Sequence, residues 1–428
     1  MQKVLIITYY WPPSGGAGVQ RWLKLSKYLA QLNLEIHILT VDEHKASYMQ
    51  LDESLSKDID SRVIVHKTDS FEVNKLYSKL VGKKNVPTSG FSNVDNSKFS
   101  QRFINAIRSN FFIPDPRIGW KKYAVKKGIE LIDKYNITTV ITTSPPHSTQ
   151  LIGLALKKKR TINWLVDFRD PWTDIYYYKL LNHSFLSAKK DAKLEREVIE
   201  ACDKIITVSE GFKSLFLAKS NTINEEKIKV IPNGYDKSDF NDKQHQRNAA
   251  FTITYTGTMS VQYDPFSFFD VVESLARSNK KIPIKLKIIG SISKEIESFL
   301  RNKSIPVEFI PTVPHNEVHR YQKEANLLLL VIPNTDSAQG ITPGKLFEYI
   351  ATKNKVIALG PTDSDVNRIL HECNSGSAFR RSQVMEMKAF IQELIDLYAK
   401  NAPVKINENA LLNYSRENQA AKIAKLIT

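Results

Sequence analysis

The chain has 428 residues, 42% hydrophobic and 25% charged. That is ordinary globular usage over more length than one hydrophobic core fills, so two or three domains are expected. Two cysteines, Cys202 and Cys373, argue against a disulfide framework or a zinc cage and for a reducing, cytoplasmic compartment, while 61 basic against 45 acidic residues leave +16, which calls for an anionic partner: nucleic acid, an acidic membrane face or a phosphorylated substrate.

Runs of β-branched and apolar residues predict strands over 4–8, 34–40, 62–66, 139–143, 162–166, 204–208 and 227–231 in the first half. The second half offers 251–256, 284–289, 306–310, 327–332 and 355–359. All are strand-sized, far short of the roughly 20 apolar residues of a membrane helix. Lys3 and the apolar run after it lead into a glycine loop with no small-residue cleavage site, so residues 1–10 read as a first strand and not as a secretion signal. Val19, Trp22, Leu23, Leu29 and Leu32 then mark one face of an amphipathic helix. Strand and helix alternate in this way through most of the chain, the pattern of parallel sheets covered by helices. Residues 236–249 are polar, lack periodicity and read as a linker, which leaves two doubly wound α/β domains.

Residues 71–120 interrupt the alternation. Lys75, Lys79, Lys83, Lys84, Arg102 and Arg108 are interleaved there with Phe71, Leu76, Tyr77, Leu80, Phe91, Phe99, Phe103, Ile107, Phe111 and Phe112. Residues 73–134 hold 13 basic and 4 acidic residues, so more than half of the surplus is local. A basic, aromatic insertion suits an anionic membrane surface. A pair of helices packed on the domain with solvated lysines fits the same residues.

Two segments suit phosphate chemistry. After the first strand, Pro12-Pro13-Ser14-Gly15-Gly16-Ala17-Gly18 lets the backbone approach a ligand at a helix N-terminus, or is an ordinary strand-to-helix turn. It lacks the dinucleotide fingerprint, because Arg21 stands where the third glycine would be. Further on, Thr342-Pro343-Gly344-Lys345-Leu346-Phe347-Glu348-Tyr349 starts a helix, with Lys345 and Glu348 sharing one face at i, i+3. A lysine there suits a diphosphate, and a carboxylate one turn on can accept from a ribose diol. A capped surface helix with an internal salt bridge fits equally.

These pieces, with Val230-Ile231-Pro232-Asn233-Gly234-Tyr235-Asp236 and Tyr255-Thr256-Gly257-Thr258, resemble the family-4 retaining glycosyltransferases of the GT-B fold. Ser144-Pro145-Pro146-His147 and Asp167-Phe168-Arg169-Asp170-Pro171-Trp172 resemble a branch that builds bacterial capsule, lipopolysaccharide or exopolysaccharide. The resemblance covers nearly the whole chain. It implies an α/β architecture of two Rossmann-like doubly wound domains facing a central cleft. Residues 1–240 would form the acceptor-binding domain with the insertion at about 71–120, residues 241–408 the nucleotide-sugar-binding domain, and residues 409–428 a helix crossing back to the first domain. It further implies a hexosyltransferase-type enzyme moving sugar from a nucleotide-diphosphate sugar to a lipid-linked or polysaccharide acceptor, with retention, without cofactor or metal, peripheral at the inner face of a membrane. Carried over by position, Glu348 would bind the ribose and Lys345 the diphosphate. Gly15, Gly16, Gly257 and Thr258 would lie near the phosphates, Gly340, Ile341, Thr342, Pro343 and Gly344 near donor sugar and phosphates, and backbone at Val313 near the base. His147 and Asp170 are the candidates at the reacting centre beside Lys345.

Two departures matter. Gly340 stands eight residues before Glu348, where the family often has a second carboxylate, and Thr258 follows the second-domain glycine where many members have arginine. Lys345 must then carry more of the diphosphate charge, or Arg21 or Arg169 must help. His147 has the alternative of a helix cap, and Asp167, Arg169 and Asp170 that of an ion-pair brace. Asp58/Asp60 and Asp363/Asp365 have the D-x-D spacing of metal-using glycosyltransferases but read as solvated pairs, Asp363 as a helix cap, so no metal is expected. Two other functions share these features. A GT-B sugar-nucleotide epimerase or hydrolase would use Lys345 and Glu348 without an acceptor, and a nucleic-acid-binding protein would use the charge but lacks any recognition motif.

Overall fold

The computed structural model describes residues 1–48, 50–71, 110–176, 178–240, 249–335 and 338–427. Most of the 71–120 insertion, and with it the membrane expectation placed there, lies outside them. Two compact units emerge, residues 1–232 with 419–428, and residues 233–418.

The first unit is a seven-stranded parallel sheet in the order β3-β2-β1-β4-β5-β6-β7. Its strands are β1 (Gln2–Ile7), β2 (Leu34–Val41), β3 (Ile64–Thr68), β4 (Thr139–Ser144), β5 (Asn163–Phe168), β6 (Lys204–Thr207) and β7 (Ile228–Val230). The winding reverses between β1 and β4, which pair with Val4 opposite Thr139. Ligands of open α/β sheets sit beyond the carboxyl ends of the strands at such a reversal. Helices α1 (Ala17–Gln31), α2 (Lys121–Tyr135), α3 (Ser148–Lys157), α4 (Phe185–Ala201) and α5 (Glu210–Leu217) cover the sheet. The predicted α1 face is buried at Val19, Trp22, Leu23 and Leu29. Leu32 differs: it is the C-cap and is exposed, because the helix has already ended. The core against Val4, Ile6, Ile36 and Ile38 includes Ala420, Ile423 and Ile427 of the terminal helix.

The second unit repeats the winding in six strands, β10-β9-β8-β11-β12-β13. They are β8 (Phe251–Met259), β9 (Ile284–Ile292), β10 (Val307–Ile310), β11 (Leu327–Val331), β12 (Lys355–Leu359) and β13 (Gly376–Phe379). Its helices are α6 (Phe266–Ser278), α7 (Lys294–Arg301), α8 (His315–Glu324), α9 (Gly344–Ala351), α10 (Asp365–Glu372), α11 (Val384–Ala399) and α12 (Glu408–Leu412), with α13 (Arg416–Ile427) leading back to the first unit. Side chains alternate across a strand, so the leucine run of β11 serves two cores. Leu327, Leu329 and Val331 pack with α6 and α11, while Leu328, Leu330 and Ile332 pack with α9 and α10.

Serines start several of these helices: Ser184, Ser209, Ser293 and Ser364 each accept from the backbone N–H three residues on. The cap of α10 is therefore Ser364 and not Asp363, which instead accepts from Gln339 and lies 3.5 Å from Arg380. Asp365 is buried beneath Arg368 at 2.8 Å instead of being solvated. Asp58 pairs with Lys24 at 3.0 Å. Hydrogen bonds from Arg62 pull the Asp60 carboxyl down to about 2.

Candidate functional site

In the second unit the carboxyl end of β8 and the start of α9 form one polar centre. Gly257 has φ +114, a backbone conformation closed to most L residues, and Gly290 on the neighbouring strand has φ +117. Beside them Lys345 extends from the first turn of α9. Its ammonium donates to Tyr255 Oη at 3.0 Å and Thr256 O at 2.9 Å and lies 4.4 Å from the Tyr255 ring centroid. Burial keeps the Tyr255 phenol protonated well above its ordinary range, and it donates in turn to Thr258 O at 2.6 Å. One turn along α9, Tyr349 accepts from the Thr256 N–H at 2.9 Å, and burial pushes its phenol up to about 12. Both side chains thus fix the β8 edge to the helix start.

Glu348 turns to a different partner from Lys345: its Oε2 accepts from Gln322 Nε2 at 3.1 Å. Gln322 is fully buried on α8, donates also to Thr256 Oγ1 at 3.2 Å, and lies 3.1 Å from His319 Nδ1 through its Oε1. The i, i+3 pair is therefore not simply a surface salt bridge; each charge is held by a buried polar group of another element. The structure brings Gly257, Thr258, Lys345 and Glu348 together at this edge. Pro343 is the N-cap of α9, and the space around Gly344 is open for 4 Å beyond a would-be Cβ. Gly340 closes a short 3-10 turn, Ile341 is half-buried, and the Thr342 hydroxyl is buried without a partner among the described residues. Val313 lies half-buried in the loop between β10 and α8.

Sequence reasoning gave no role to Tyr255, Tyr349, Gln322 or Arg381. Tyr255 belongs to the Tyr255-Thr256-Gly257-Thr258 motif, but Gln322 has no signal in a predominantly polar helix. Arg381, after β13, donates to the carbonyls of Tyr263 (2.6 Å), Asp264 (2.9 Å) and Ile332 (2.9 Å) and so pins two loops at the same sheet edge.

In the first unit two arginines are used differently from expectation. Arg21 is buried and donates to Asp167 Oδ1 at 2.9 Å and to the carbonyls of Ile231 and Pro232, both at 2.9 Å. Asp167 also accepts from Trp22 Nε1 (2.7 Å) and Thr143 Oγ1 (2.8 Å). Arg169 donates to Ser144 O (3.1 Å), Pro145 O (2.7 Å) and Gly18 O (2.6 Å). Neither is a spare cation for a diphosphate, and Asp167 is a brace. A Cβ at Gly18 would stand 3.2 Å from the Arg169 guanidinium, a tight contact with a group held by three carbonyls. Gly15 donates to Gln50 O at 2.9 Å, and Gly16 is the N-cap of α1 with φ +91.

His147 precedes α3 but does not cap it. Asp115 does so, accepting from Ser148 N at 2.7 Å and Ser148 Oγ at 2.9 Å. The His147 ring instead stacks on Trp172, centroids 4.9 Å apart, and its Nδ1 has no hydrogen-bond partner among the described residues. Burial, helped by the charges of Arg169 and Lys219, holds it down to about 3, so the ring is neutral at physiological pH. Asp170 is half-buried and makes no hydrogen bond or ion pair among the described residues; burial raises its carboxyl against the pull of Arg169. Behind Trp172, Asp191 accepts from Trp172 Nε1 (2.8 Å) and Tyr178 Oη (2.9 Å), and burial pushes it up to about 7. Among the described residues no cluster of three metal-ligating side chains occurs.

Residues 86–239 match the sequence profile of Glycosyltransferase Family 4. No curated protein matches the chain by sequence. Solved structures match its fold over the full length at low identity. A mutant of S. aureus TarM, in a complex with fondaparinux, alpha-GlcNAc-glycerol and UDP, has 12% identity, 100% coverage of both chains and a TM-score of 0.61. The lipopolysaccharide outer core galactosyltransferase WaaB has 14%, 100% and 99% coverage and 0.57. Sucrose-phosphate synthase from Thermosynechococcus elongatus has 14%, 100% and 98% coverage and 0.59. These likenesses define the fold as GT-B, built of two parallel-sheet Rossmann-like units, and residues 86–239 carry the similarity to Glycosyltransferase Family 4.

Proposed function

We propose that the protein transfers a sugar from a nucleotide-diphosphate sugar, bound by the second unit, to a lipid-linked or polysaccharide acceptor bound by the first, at the inner face of a membrane. The observation that carries the donor reading is the Lys345–Tyr255–Gly257 arrangement with Glu348 one turn away: an ammonium held beside an exposed glycine backbone at the open N-terminus of α9. That set suits a diphosphate, and Glu348 suits a ribose diol. In the reaction the bond from the sugar's anomeric carbon to the diphosphate breaks with its electron pair leaving on phosphate oxygen. The acceptor hydroxyl oxygen forms the new bond, and its proton passes to the departing phosphate, which is consistent with retention. Lys345 and the α9 N–H groups oppose the charge that grows on the leaving group, without a metal. Neutral His147 is suited to orient an acceptor or sugar hydroxyl, not to act as an imidazolium acid. Asp170, unengaged by other side chains among the described residues, is suited to receive a hydrogen bond from the acceptor.

A thermal-shift screen across UDP, GDP and their sugars is expected to raise the midpoint for one base. Turnover of that sugar is expected to require a glycan or glycolipid acceptor. Hydrolysis or epimerisation at full rate without acceptor would overturn the transferase reading, and no response to any nucleotide diphosphate would overturn the donor site.

A further inference from the structure

The first two turns of α4 expose what a soluble surface normally hides. Phe185 and Leu186 are 79% and 76% exposed, and Phe111 is 77% exposed. The three belong to one place. Asn110 accepts from the Ser184 N–H at 2.7 Å and donates to Asn182 O at 3.2 Å, and Ser187 Oγ donates to Asn110 O at 3.4 Å. Those bonds tie the residue before Phe111 to the start of α4.

The charges of the helix are sorted around its axis. Ser187, Asp191, Glu195, Val198 and Ile199 are buried along one face. Lys189, Lys190, Lys193 and Arg196 are exposed on the other, with Phe185 and Leu186. The two acids of these turns are engaged internally, Asp191 by Trp172 and Tyr178 and Glu195 by Thr173 and Lys219. Glu197, a turn beyond, lies 3.9 Å from Lys193. The outward face is thus apolar at its tip and cationic behind it. Large apolar groups flanked by lysines match a lipid interface, where the rings enter the acyl boundary and the ammonium groups remain at anionic headgroups.

We infer that Phe111, Phe185 and Leu186, backed by Lys189, Lys190 and Lys193, form a docking surface for an anionic lipid bilayer. This rests on the membrane placement proposed above and names the surface that makes it. The side chains are exposed, so replacing them leaves the fold intact, and an unchanged thermal midpoint checks that.

Co-sedimentation with phosphatidylcholine vesicles, with and without phosphatidylglycerol, tests it. The protein is expected to bind the anionic vesicles and to bind pure phosphatidylcholine weakly. The Phe111→Ser/Phe185→Ser/Leu186→Ser variant should lose at least about tenfold in affinity, since each buried apolar group strengthens interfacial binding. The Lys189→Gln/Lys190→Gln/Lys193→Gln variant should lose on the order of fivefold per lysine and show a shallower salt dependence. Both variants binding like the parent would overturn this surface while leaving the membrane placement standing. A parent that ignores anionic vesicles would overturn both. A dimer in solution that the apolar variant abolishes would make the face an interface between copies and also overturn the inference.

Discussion

Gly257→Ala probes the link between the β8 backbone and Lys345. At φ +114 an alanine is strained by about 1–3 kcal/mol. Its Cβ would stand 2.8 Å from Lys345 Nζ and 3.5 Å from Cε. The lysine end is flexible, so relieving that overlap is cheap in itself. What the movement sacrifices is the pair of hydrogen bonds at 2.9 and 3.0 Å and the seat over the Tyr255 ring. Backbone strain alone should lower the unfolding midpoint of this unit by roughly 2–12 °C, at about 2–4 °C per kcal/mol for its size. A charge-assisted hydrogen bond is worth about 1.5–3 kcal/mol, so misplacing the ammonium should weaken nucleotide diphosphate binding at least about tenfold. The assay is calorimetric titration of the preferred nucleotide into the parent, Gly257→Ala, Lys345→Met and the double variant. If the glycine acts through the lysine, Gly257→Ala costs little further affinity in the Lys345→Met background, while its midpoint loss persists. Equal affinity losses in both backgrounds would refute the coupling.

Glu348→Ala should weaken nucleotide binding, and Gln322→Ala should do so to a smaller extent by releasing Glu348; unchanged affinity for the first removes Glu348 from the ribose. Asp167→Asn leaves the buried Arg21 guanidinium without its carboxylate, a loss expected at about 3–5 kcal/mol in denaturant unfolding of the first unit; under about 1 kcal/mol would contradict the brace assigned to it. His147, held to about 3 in the folded state against about 6.5 when unfolded, binds fewer protons folded than unfolded between those values. Stability therefore rises with pH across that window and falls as pH drops from 6.5 toward 3. His147→Phe keeps the stack on Trp172 and should flatten that part of the midpoint-versus-pH curve; an identical slope in both proteins would mean the ring is not buried neutral.

The strands were the most legible part of this chain. All twelve predicted runs are strands, with ends shifted by at most three residues, because parallel strands buried on both faces leave continuous apolar runs. The thirteenth, Gly376-Ser377-Ala378-Phe379, escaped notice because it is four residues long and has no β-branched side chain. Lys345 and Glu348 were legible as a pair on one face of a helix start. Their partners were not: Gln322 lies 26 positions from Glu348, and Tyr255 lies 90 from Lys345. Spacing specifies a face, whereas the tertiary contact that decides what a charge does is set by another element. The same limit explains Arg21, whose carboxylate is 146 residues away and whose carbonyls are more than 200 away.

Those arginines share a task that positive charge alone does not describe. Loops at the carboxyl edge of a parallel sheet carry carbonyls that no ladder satisfies, and an unpaired buried carbonyl is costly. Arg169 gathers the carbonyls of Ser144 and Pro145 at the end of β4 and that of Gly18 in the first turn of α1, Arg381 gathers three at this edge, and Arg21 gathers two with a carboxylate. A planar guanidinium with five donors reaches several loops at once in fixed directions, whereas an ammonium bonds as a single point. In each unit, then, the edge that would meet a ligand is organised by an arginine that faces the protein. In the second unit the lysine is left at the glycine edge. Under the proposed donor reading, the charge that would face a diphosphate is accordingly smaller than the arginine count suggests, and Lys345 would carry a greater burden than in a site that keeps an arginine where Thr258 stands.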